Sequence, residues 1–113
     1  MSADALRSPV VSKIRETVPE FEDSFQTALA EEDGELGSFQ AMSAFATWLI
    51  QRMQAGPDVP EVDRSFYVVE QIASSEDYPM GRALVTEFVE AVGHSSKAIS
   101  RLGSASRAYL SSP

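Results

Sequence analysis

The chain has no cysteine, which rules out disulfides and thiolate metal sites. It has one histidine, His94, placed after a helix-ending glycine and between that glycine and serines, a position suited to a helix terminus rather than to acid–base chemistry. No GxGxxG or GxxxxGK[ST] pattern occurs, so the two motifs that cradle phosphates are missing. No run approaches the ~20 apolar residues of a membrane helix. The first residues, MSADALRSPVVSKIRE, lack the apolar core of a secretory signal, so a soluble cytoplasmic protein is expected. No stretch alternates apolar and polar residues for long, which argues against strands. Most telling is a gap in one sign of charge: Glu16 to Glu35 contains no lysine or arginine.

That same segment holds eight acids: Glu16, Glu20, Glu22, Asp23, Glu31, Glu32, Asp33 and Glu35. Of the 17 acids in the chain, the other nine are matched by its 9 lysines and arginines, so the net charge of −8 resides in this one segment. The tail from His94 to Pro113 runs the other way, with Lys97, Arg101 and Arg107 and no acid. Either the tail packs near the acidic segment or each patch serves a partner. A direct nucleic-acid role is disfavoured, because phosphate neutralisation needs a basic footprint.

At 113 residues and 43% hydrophobic the chain is expected to be one domain, 1–113, with residues 1–7 a frayed end. Ser38–Gln54 is its organising stretch, a helix whose only ionised residue is Arg52. Phe39, Met42, Phe45, Ala46, Leu49 and Met53 recur at three- and four-residue steps, widened by Trp48 and Ile50. An apolar arc this wide needs cover from more than one side, which makes this the central helix. Its other face is a row of uncharged polar groups, Gln40, Ser43, Thr47, Gln51 and Gln54. That row is an exposed face, a face buried with hydrogen-bond partners, or a subunit contact.

Around it, Ser8–Pro9 starts a short helix carrying Val10, Val11 and Ile14, interrupted at Val18–Pro19. Thr17 is read as the cap of a helix over Pro19–Glu32, with Phe21, Phe25, Ala28 and Leu29 on one face. Glu20, Glu22 and Asp23 fall in its first turn, where the helix dipole favours them; Glu31, Glu32 and Asp33 fall at its far end, where it does not. Gly34 is the left-handed terminator, and Ser38 the cap of the central helix, which stops at Gly56-Pro57. Asp58-Val59-Pro60 opens a helix to about Ser74, a helix carrying Met80 to Val92 follows, and a last one runs from Ser95 or Ser96 through Tyr109 and Leu110. Val62–Gly93 reads as one helix–turn–helix unit of about 32 residues. The fold class is therefore all-α: a compact bundle of five to six short helices, packed as layered antiparallel helical hairpins.

Val18-Pro19-Glu20-Phe21, Glu32-Asp33-Gly34-Glu35-Leu36, Phe45 with Trp48-Leu49, and Phe88-Val89-Glu90 together resemble a family of small bacterial helical domains of unknown function. That family pairs a PEL or PEF helix start with an EDxGEL turn, a tryptophan-bearing helix and an FLE or FVE helix. Here Gly37-Ser38-Phe39 replaces the proline and histidine expected after the turn, so no role for that histidine carries over. The resemblance implies an all-α fold and brings no activity.

No nucleophile-elbow spacing or EF-hand register is present: six residues beyond Gly34 stands Gln40, where a calcium loop needs glutamate. No cofactor, metal or catalytic residue is assigned. What remains are surfaces, namely the acids Glu31, Glu32, Asp33 and Glu35 and the polar row Gln40, Ser43, Thr47 and Gln51. These point to a non-enzymatic binding module that seats on a basic protein, as immunity proteins and inhibitors do. The alternative is an assembly subunit that self-associates through the uncharged helix face.

Overall fold

The computed structural model describes residues 4–56 and 59–109, and its fold is all-α. Among the described residues seven helices follow in order: α1 (Pro9–Thr17), α2 (Glu22–Glu31), α3 (Ser38–Ala55), α4 (Pro60–Ser74), α5 (Gly81–Val92), α6 (Ser96–Arg101) and α7 (Ser104–Arg107). Short 3-10 turns at Asp4–Arg7 and Pro19–Phe21 flank α1.

Helix α3 is central, as its wide apolar arc requires. It packs most extensively on α5, and also against α2, α4 and α1. The heaviest pairing thus skips α4, so the bundle is not built only from sequence neighbours. Helix α4 packs against α1 and α7 as well as against α5 and α3. Phe21, Phe25, Phe45 and Phe88 are fully buried and Trp48 nearly so. Phe45 sits at their centre, 5.1 Å from the Phe21 ring, 5.9 Å from Trp48 and 5.5 Å from Phe88. Edge-on and offset ring contacts of this kind add to the stabilisation from area alone.

The helix ends show where local signals decide. Ser8 caps α1, its hydroxyl accepting from the Val11 N–H at 3.3 Å, with Pro9 in the first turn. At the end of α2, Asp33 (φ 53°) and Gly34 (φ 82°) both enter the left-handed region, and the Gly34 N–H returns to the Leu29 carbonyl at 2.8 Å. This is the terminator expected of Gly34.

Five expectations are corrected. Pro19–Glu32 is not one helix, because Pro19–Phe21 forms a 3-10 turn before α2 begins at Glu22. Thr17 does not cap it; Thr17 belongs to the last turn of α1, and neither Val18 nor Phe21 supplies a side-chain cap. Ser38 does not cap α3, since Gly37 holds that position. The exposed amides are met from elsewhere: Gln40 Oε1 accepts from the Gly37 N–H at 2.7 Å and Asp4 Oδ1 from the Ser38 N–H at 2.6 Å. Residues 4–7 are therefore not frayed, because Asp4 is occupied, Ala5 is buried, and the Ala5 N–H donates to the Leu36 carbonyl. Finally, the last helix is broken in two at Leu102-Gly103. Residues 1–3, Pro57-Asp58 and Leu110 lie outside the described residues.

The break at Gly103 has a physical cause. Glu70 on α4 projects its carboxylate onto the start of α7 and accepts from the Ala105 N–H (2.9 Å), the Ser106 N–H (3.0 Å) and the Ser106 hydroxyl (2.9 Å). Gly103 leaves room for it. Burial pushes the Glu70 carboxyl up, but these donors outweigh it and hold the group below its ordinary range. The serine- and glycine-rich tail is thus docked on α4 by a carboxylate at a helix start.

Candidate functional site

The acidic segment divides once folded. Glu20 is held by Arg64 of α4, through two side-chain hydrogen bonds of 2.8 and 2.5 Å. Glu22 is held in a bidentate pair by Arg15 of α1 at 2.9 and 2.6 Å. In each case the guanidinium lowers the carboxyl's pKa below its ordinary range. Both acids therefore work as internal struts tying α2 and the turn before it to α1 and α4. The basic tail supplies neither partner: Arg101 pairs with Asp63 of α4 and stacks over Phe66, while Arg107 donates to the Ser100 carbonyl.

Asp23, Glu31, Glu32 and Asp33 behave differently. All four are exposed and none forms an ion pair among the described residues. Glu31 is the last residue of α2 and Glu32 its cap, so with Asp33 they gather at the helix's negative pole. Glu35 is exposed beside them in the connector.

The polar row on α3 also resolves residue by residue. Gln40, Thr47, Gln51 and Gln54 are exposed, with Gln40 engaged at the helix start. Ser43 is half-buried and donates to Glu87 Oε2 of α5 at 2.7 Å, so it serves the α3–α5 contact and is no part of a free face. Glu87 is correspondingly half-buried.

Of the acids singled out at the end of α2, Glu31 meets Thr47 and Gln51 of the polar row in space, whereas Glu32, Asp33 and Glu35 lie outside the groove they line. This groove of about 480 Å³ runs between α2 and α3, with Asp23, Thr27 and Glu31 on the α2 wall and Thr47 and Gln51 on the α3 wall. The α2 residues are spaced i, i+4, i+8, which aligns them on one helix edge. Ala28, Ala44 and Trp48 contribute its apolar floor. Trp48 is 7% exposed, and its indole N–H has no hydrogen-bond partner among the described residues. Sequence reasoning placed Trp48 only in the core. Its groove-facing edge follows from the gap between α2 and α3, which no spacing rule reveals.

His94 is exposed and lines a separate groove with Ile50, Met53, Gln54 and Lys97; the helix cap before it is Gly93. Among the described residues no three His, Asp or Glu side chains converge as a metal site, and no helix is long and apolar enough to cross a membrane.

The fold and this site define an all-helical domain with a half-apolar surface groove bordered by unpaired carboxylates. The chain belongs to the family described as a domain of unknown function, DUF7674, whose model matches residues 11–112. No curated protein and no solved structure matches the chain.

Proposed function

We propose that this protein is a non-enzymatic binding domain that seats an acidic edge on a basic surface of another protein, in the manner of an immunity- or inhibitor-type protein. One observation carries this reading: Glu20 and Glu22 are each given an arginine, whereas Glu31, Glu32 and Asp33 crowd the negative pole of α2 without one. Carboxylates at that pole oppose folding, and an external cation relieves the opposition. Exposed carboxylates of one sign also steer association with a basic surface and make it salt-dependent.

The test is capture of a basic partner on the immobilised protein at ~50 mM and ~500 mM salt. The native chain retains it only at low salt, and the E31Q/E32Q/D33N variant retains it at neither. A partner held equally by both proteins overturns the reading. A second reading, self-association through α3, is favoured by the uncharged exposed row Gln40, Thr47, Gln51 and Gln54, with Phe39 beside it at 43% exposure. Sedimentation that is monomeric at every concentration removes it.

A further inference from the structure

We propose that the α2–α3 groove seats an extended segment of the basic partner, one carrying lysine or arginine at positions i and i+4. The proposal rests on the acidic-edge reading and adds where the partner lies and in what conformation. Asp23 and Glu31 are eight residues apart on α2, so a rise of ~1.5 Å per residue separates them by about 12 Å. An extended chain covers that distance in about four residues at ~3.3 Å each. Residues i and i+4 of such a chain share a face, so each cation meets one carboxylate.

The floor between the two carboxylates decides the conformation. Buried indole N–H groups ordinarily have an acceptor, and that of Trp48 has none among the described residues. Nor is it among the fully buried unpartnered polar atoms, of which Arg52 Nε is the one found among the described residues, and Trp48 lines this groove. A segment that covers Trp48 and displaces water from its N–H has to offer an acceptor in its place. A helix cannot do so readily, because its carbonyls are spent on its own ladder. An extended backbone has carbonyls to spare, and the side chains of Thr47 and Gln51 on the far wall can hold the rest of it.

Trp48 is the chain's only tryptophan, so no other indole contributes to the emission. The probe is a capped seven-residue peptide of serine and glycine with lysine at positions 2 and 6, measured unlabelled by Trp48 emission and labelled by anisotropy at ~20 mM salt. The two readouts are expected to share one midpoint. The D23N/E31Q variant, with native circular dichroism, is expected to bind about fivefold more weakly, and so is a peptide with adjacent lysines, which point to opposite faces. If anisotropy rises while Trp48 emission stays fixed, or if only E32Q/D33N weakens binding, the groove is overturned and the acidic edge stands. A Trp48 response that D23N/E31Q leaves unchanged also overturns the groove. If neither readout moves, both readings fail.

Discussion

Replacing Gly103 with alanine tests how the tail is held. Gly103 has φ −74° and an extended ψ, a conformation open to any residue. By backbone entropy alone, Gly103→Ala would be neutral to slightly stabilising, by about 0.5 kcal/mol. The structure reverses that sign. A methyl built on Gly103 lies 2.4 Å from both Cδ and Oε1 of Glu70, far inside contact distance. The carboxylate must swing away, and the Ala105 and Ser106 amides lose their acceptor. Loss of a helix-start acceptor costs about 1–2 kcal/mol, and hydrogen bonds to a charged group lie at the upper end. Glu70→Ala is therefore expected to cost about 2 kcal/mol and Gly103→Ala about 1.5 kcal/mol. The double variant should cost about 2 kcal/mol, since the methyl then has nothing to displace. Urea unfolding followed by Trp48 emission and by circular dichroism supplies the four free energies. Additive single effects, or a Gly103→Ala protein more stable than the native one, would refute the clasp.

Other consequences follow from the same contacts. Phe45→Ala removes the hub of the ring cluster and is expected to destabilise by about 4 kcal/mol in the same assay. Glu20, Glu22 and Glu70 each release their protons below the ordinary value of 4.5 when folded, so their stabilisation is complete above that pH and lost as pH falls through the folded values. Thermal midpoints should be level near neutrality and fall as the pH drops below about 4.5. The E31Q/E32Q/D33N variant should melt ~3 °C higher than the native chain, because it removes carboxylates from the negative pole of α2. An unchanged or lower midpoint would mean that those acids are compensated within the fold.

Much of the fold was legible because helix signals are local. The apolar arc of Phe45, Leu49 and Met53, the Gly34 terminator and the Ser8 and Ser95 caps all follow from spacing and backbone chemistry within a few residues. What misled were ends completed from afar. Asp4 meets the α3 start across 34 positions, and Glu70 meets the α7 start across 35. Ser38 and the tail therefore could not be read correctly from their neighbours. The candidate site divides the same way. Glu31, Glu32 and Asp33 stood out through their opposition to the helix dipole, and Thr47 and Gln51 through the missing charge on α3. That Glu20 and Glu22 are neutralised, that Ser43 serves Glu87, and that Trp48 opens into the groove each depend on how helices distant in sequence meet.

The most direct measurement is a residue-by-residue map of where a basic chain touches this protein. Backbone amide shifts of the isotope-labelled protein, titrated with a short lysine peptide at low salt, should concentrate on Asp23–Glu35 of the α2 edge and on Thr47 to Gln51 of α3, and vanish at high salt. Shifts spread evenly over the surface, or centred on α4 and α5, would contradict the account.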